Sequence, residues 1–172
     1  MGKIKNFQPL KLFIGVLLNP KISIEDLERL FIKHFGEIDF KTPPLNFTYT
    51  AYYEEEMGAT LSKCFFSFKK LVMPEELPEI KILTNELEEQ LLEKGHRQVN
   101  LDPGVISLHN LMLLTTKNFS HRIPLAKNIY AEVTLIWQKK GFIDLPWTYP
   151  DFKSTEYKII LTEIRTKYRQ QL

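Results

Sequence analysis

The spacing of apolar positions changes several times along this chain, and each change marks an element. Residues 12–18 (LFIGVLL) form an unbroken apolar run between Lys11 and Asn19-Pro20, the pattern of a strand buried on both faces. Ser23 stands three residues before Asp26, and Ile24, Leu27, Leu30, Phe31 and Phe35 then recur at helical spacing up to Gly36. A capped amphipathic helix follows from that pattern. Thr42-Pro43-Pro44 interrupts the chain before NFTYTAYY (46–53) and LSKCFFSFKKLV (61–72), two aromatic and hydroxyl-rich segments that predict a hairpin. Pro74 and Pro78 suit the first turns of a helix with Ile80, Leu83, Leu87 and Leu91 as its buried stripe and Gly95 as its stop. A strand is expected at 98–101, then a meander over 111–117, 121–125 and 129–137, a short strand from Gly141, and a last helix marked by Tyr157, Ile160, Leu161, Ile164 and Tyr168.

This order predicts an α+β class, with a ferredoxin-like βαββαβ arrangement extended by an antiparallel β-meander and a C-terminal helix. No linker or repeat interrupts it, so residues 1–172 are expected to form a single domain.

The meander carries a sharper expectation, because its connections are short. If 118–120 and 126–128 are three-residue loops, Thr116, Arg122 and Glu132 form one cross-strand row, with Lys117 and His121 on the opposite face. Arg122 and Glu132 are then a structural pair, since either charge alone would be uncompensated in a partly buried sheet.

Composition narrows the chemistry. A net charge of +2 from 23 basic and 21 acidic residues argues against a duplex-DNA binder and, more generally, against nucleic acid as the partner. The single cysteine, Cys64, excludes an intramolecular disulfide and a cysteine-rich zinc site, which fits a cytoplasmic location. No run approaches the ~18 apolar residues of a membrane span, and the N-terminal apolar run, ending in Asn19-Pro20 without a cleavage pattern, is expected to be the first strand rather than a signal peptide.

Charge is distributed unevenly. Between Gly95 and Ala131 the only acidic residue is Asp102, against Arg97, Lys117, Arg122 and Lys127, and three of the four histidines lie in or beside that stretch. An electropositive site binding a small anionic ligand, phosphate or a nucleotide, is the expectation. Asn100 and Asp102 share one side of a strand that should end in a Pro103-Gly104 turn. An enzymatic version assigns Asp102 or Glu56 to general-base or metal work, His121 to proton transfer, and Lys117 with Arg122 to charge stabilisation. Tyr53 and Thr134 complete the expected ligand contacts, Tyr53 as a stacking ring. Glu56, Asp102, His121 and Glu132 are residue types that a divalent metal would accept, although their spacing matches no ligand signature. The competing expectation is a non-catalytic protein- or RNA-interaction module in which the same residues satisfy one another.

Taken in order, KLFIGVLL, TAYYEEEMG, FFSFKKLV, IKILTNELE, VNLDPG, TTKNFSHRI, YAEVTL and WTYPDF resemble the domain of unknown function 4416 family over essentially the whole chain. The resemblance implies no mechanism. Some members of that family carry a GTP-binding label, but Asp102-Pro103-Gly104 is not a DxxG element and Thr116-Lys117-Asn118 lacks the Asn-Lys-x-Asp arrangement that reads guanine.

Overall fold

A computed structural model describes residues 2–50 and 52–172 of the chain. Its central strand β1 (Leu10–Leu18) is buried along its entire length, which explains the absence of alternation in that run. After it come α1 (Ile24–Phe35), β2 (Ile38–Lys41), β3 (Leu45–Asn46), the single-turn α2 (Glu54–Met57), β4 (Ser62–Val72) and α3 (Leu77–Gln90). The remainder is β5 (Val99–Ile106), β6 (Asn110–Thr115), β7 (Ile123–Pro124), β8 (Tyr130–Gln138), β9 (Gly141–Asp144) and α4 (Thr155–Gln170). The protein is α+β.

All strands belong to one antiparallel sheet in the order β2-β4-β1-β5-β6-β8-β7, with β3 beside β4 and β9 beside β8. The even residues of β1 face α1 and α3 in a core that includes Leu27, Phe31, Phe66, Phe68, Ile80 and Leu87. Phe13 faces the other way, and with Phe65 and Leu135 it packs under Tyr157, Leu161 and Ile164 of α4. Ser23 caps α1 by accepting the Asp26 amide at 3.2 Å, as the sequence pattern requires. Cys64 lies in the α1/α3 core, where burial pushes its thiol up to about 11.

Three local expectations are corrected. The expected hairpin of residues 46–53 with β4 shrinks to the two-residue β3 (Leu45–Asn46), so only Asn46 of that segment is strand; β4 pairs along its length with β1 and β2 instead, and Ala51 lies outside the described residues. Pro43-Pro44 breaks the pairing, and Phe47 and Tyr49 fold over the sheet instead.

The second correction is that β5 runs straight through Pro103-Gly104 to Ile106 without a turn. Leu101 directs its N–H and C=O away from β1, so two residues on, the missing N–H of Pro103 also points away from β1, where no strand pairs with it. Gly104 serves close packing, since a Cβ there would sit 2.6 Å from the Phe13 ring.

The third is the meander. β6 pairs directly with β8, placing Leu113 opposite Glu132, so β7 is pushed to the edge and Thr116 does not face Arg122. The long apolar β8 can be buried on both sides, whereas β7 holds only two residues, one of them Pro124, which cannot donate to a central ladder.

Candidate functional site

Between the start of β5 and the end of β6 the sheet opens, because the two strands pair only through Gly104–Ile106 and Leu111–Leu113. A cavity of about 620 Å³ occupies this region and extends under Phe47, Tyr49, Tyr52 and Tyr53 and under residues 149–152. Its size suits a small ligand.

The floor is built from strand register. Leu17 of β1 lies opposite both Lys63 of β4 and Asn100 of β5, and Gly15 lies opposite Asp102. Lys63 therefore has to cross β1 to reach the carboxylate, and it does so over Gly15: its Nζ donates to Asp102 Oδ2 at 2.9 Å. A Cβ on residue 15 would stand only 3.1 Å from Lys63 Cε. The Lys63 side chain is 3% exposed and that of Asp102 35%. Asn100 Nδ2 donates to Asp102 Oδ1 at 2.8 Å. Burial alone would raise the Asp102 pKa, but the charges of Lys63 and Lys81 and these hydrogen bonds outweigh it and hold the carboxyl below its ordinary value.

A second group arrives from the opposite face of the sheet. Lys81, Asn85 and Glu88 line the cavity from α3, at i, i+4 and i+7 on one side of the helix. Lys81 Nζ donates to the Leu101 carbonyl at 3.1 Å, and the Leu101 N–H donates to Glu88 Oε1 at 2.6 Å. These side chains take the place of a neighbouring strand along the open edge of β5. Burial lowers the pKa of Lys81 and raises that of Glu88.

The walls are aromatic, formed by Phe47, Tyr49, Tyr52, Tyr53 and Tyr149, with Lys117 at the rim 5.6 Å from the Tyr52 ring centroid. Asp151 also lines the cavity, positioned by Phe152, whose ring packs edge-on against Phe65 of β4 at 6.3 Å. The Tyr53 hydroxyl is pushed well above its usual pKa by burial.

The expected site residues divide into three groups. Asn100, Asp102, Lys117, Tyr53 and Glu132 line the cavity. Arg122 and His121 stand behind Glu132 instead: Arg122 Nε donates to Glu132 Oε2 at 2.7 Å, and His121 Nε2 lies 3.2 Å from the same oxygen. Arg122 also donates to the Tyr149 hydroxyl at 2.8 Å, and the His121 ring stacks on Trp147 at 5.0 Å. His121 thus shares the carboxylate with Arg122 rather than occupying the opposite face. Thr134 is buried beside Glu132, with its hydroxyl 3.4 Å from Oε1. Glu56 lies outside the cavity and is held by Arg97 Nε at 2.8 Å. Among the described residues no three His, Cys, Asp or Glu side chains gather as metal ligands would.

Sequence reasoning missed Lys63, Lys81, Glu88 and Asp151. The signal for two of them was present: a lysine inside the apolar KCFFSF strand and another on the apolar stripe of α3 are placements that need a buried partner.

The model for a domain of unknown function (DUF4416) matches residues 8–168, nearly the whole chain. The protein belongs to that family. Neither the curated proteins nor the solved structures contain a match to it. Among the described residues no helix is long and apolar enough to cross a membrane.

Proposed function

We propose that the cavity binds a small anionic ligand, with phosphate or a nucleotide as the class that suits aromatic walls over a floor of ammonium groups. Formal charge does not support this by itself, since four basic residues (Lys63, Lys81, Arg97, Lys117) and four acidic ones (Glu88, Asp102, Glu132, Asp151) line the space. Free hydrogen-bonding capacity does. Both Asp102 oxygens accept from Lys63 and Asn100, Glu132 accepts from Arg122 and Thr134 and lies against His121 Nε2, and Glu88 accepts the Leu101 amide. By contrast Lys63 and Lys81 each use one of three ammonium donors among the described residues, and both are buried. Spare donors on a buried cation favour an oxyanion, because leaving them unmatched costs more than leaving a surface group unmatched.

This reading is carried by the spare ammonium donors of Lys63, a buried lysine that crosses β1 over Gly15 to reach Asp102 and the cavity. Phosphate and nucleotides should raise the melting temperature of the protein by mass action, and Lys117→Ala at the rim and Lys63→Met at the floor should each reduce that rise while the fold survives. Stabilisation that persists undiminished in both variants is generic salt binding. No shift with any anion at millimolar concentration would leave the interaction module as the better reading.

Two finer readings accompany it. The order β2-β4-β1-β5, with α1 and α3 against one face, supports a ferredoxin-like description of that part of the sheet. The lone, buried Cys64 supports a reducing compartment such as the cytoplasm.

A further inference from the structure

We infer that Asp151 is a hydrogen-bond-donating carboxyl of this cavity: in its neutral form it hydrogen-bonds a tetrahedral oxyanion held by Lys63, so that ligand binding takes up a proton. The inference rests on the anion-binding reading and names the residue that would make binding pH-dependent.

The geometry comes from two directions. Phe152 packs against Phe65 and against Tyr157 of α4, which fixes the segment before α4 over β4 and brings Asp151 to the cavity wall. Lys63 reaches the same space from below, and its charge acts on both Asp102 and Asp151. The two carboxyls nevertheless differ. Asp102 holds the ammonium directly and accepts from Asn100, whereas the protein partner of Asp151 among the described residues is the Phe152 amide, which donates to Oδ1 at 3.0 Å. Asp151 makes no ion pair among them.

Burial raises the Asp151 pKa, the nearby Lys63 charge opposes it, and the Asp102 carboxylate adds to it. The groups that act on Asp151, or on which it acts, are Lys63 of β4, Asp102 of β5, Tyr53, and Tyr157 of α4. Around the rest of the cavity stand Lys81, Glu88, Arg97, Lys117, Glu132 and Tyr149; among the described residues that line it there is no histidine, and His121 stands behind Glu132. An anionic ligand beside Lys63 repels a charged Asp151 but accepts a hydrogen bond from the neutral form. The proton comes from solvent, moves onto an Asp151 oxygen as the anion enters, and returns to solvent when it leaves. Glu88 is the other carboxyl whose burial favours protonation, but one of its oxygens is committed to the Leu101 N–H.

Sulfate is the probe, because unlike phosphate it does not titrate between pH 5 and 8. Its affinity should be measured by calorimetry across that range for the wild-type chain, Asp151→Asn and Glu88→Gln, with melting curves to confirm folding. Wild-type affinity should fall by up to ~tenfold per pH unit above the Asp151 titration, the slope of one coupled proton. Asp151→Asn keeps a donor in place, so it should retain sulfate binding with a flat pH profile, and Glu88→Gln should keep the wild-type slope. A flat wild-type profile, or an unchanged slope in Asp151→Asn, overturns the inference and leaves the anion site standing. If neither sulfate nor phosphate binds at any pH, the anion site and this inference fall together.

Discussion

Arg122 Nε donates to Glu132 Oε2 at 2.7 Å from a side chain 10% exposed to one only 1% exposed. The pair joins the edge strand β7 to β8, because Ile123 lies opposite Ala131 and the preceding residue therefore falls opposite Glu132. Through a further hydrogen bond from Arg122 to the Tyr149 hydroxyl it also ties the edge of the sheet to the cavity wall. Arg122→Ala leaves a buried carboxylate with only His121 and Thr134, so it should cost about 2–4 kcal/mol, well above an exposed ion pair. Urea unfolding of wild type, Arg122→Ala, Glu132→Gln and the double variant measures the coupling directly.

Glu88 replaces a strand neighbour for the Leu101 amide, so Glu88→Ala should destabilise the protein by about 1–3 kcal/mol, the cost of an orphaned buried donor. Glu88→Gln keeps a carbonyl acceptor and should recover most of that loss. Hydrogen exchange at the Leu101 amide would distinguish this origin from a general loosening of α3.

Removing the cation beside Asp102 should appear in acid. The Asp102 pKa is held below the ordinary value by charges and hydrogen bonds that overcome burial, so the group contributes stability at pH values above its unfolded pKa of about 3.9. That contribution is lost as pH falls through the folded-state value. Lys63→Met raises the folded-state value, and the acid-unfolding midpoint should move to higher pH.

Asp151 carries the opposite sign. Its folded-state pKa is raised, so the stability linked to its proton is present at low pH and is lost as pH rises through that value. Asp151→Asn should therefore stabilise the ligand-free protein at pH 8 relative to wild type, with the difference shrinking toward pH 4. Melting temperatures of the two proteins across that range test it.

Gly15 is the crossing point for Lys63. Gly15→Ala places a methyl within 3.1 Å of Lys63 Cε, in a strand where overpacking typically costs about 1–3 kcal/mol. The expected result is a weakened Lys63–Asp102 pair, seen as a raised Asp102 pKa in a carboxyl-carbon NMR titration.

Local periodicity was sufficient for the α+β class and for the elements whose signals are self-contained: the apolar run of β1, the Ser23-capped helix α1, and the stripe Tyr157, Leu161, Ile164 of α4. It was also sufficient for the Arg122–Glu132 pair, because the register follows from a short connection between β7 and β8. Which strands become neighbours is a different kind of fact. The insertion of β8 between β6 and β7, and the pairing of β4 with β2, depend on which surfaces can be buried together across long stretches of chain, and no local spacing records that. The cavity shows the same division. Asn100, Asp102 and Lys117 were legible from an acid-poor stretch, but Lys63, Lys81, Glu88 and Asp151 come from β4, α3 and the segment before α4. Only tertiary structure brings them together, because the charge that matters to a buried group is the charge near it in space, whatever its distance along the chain.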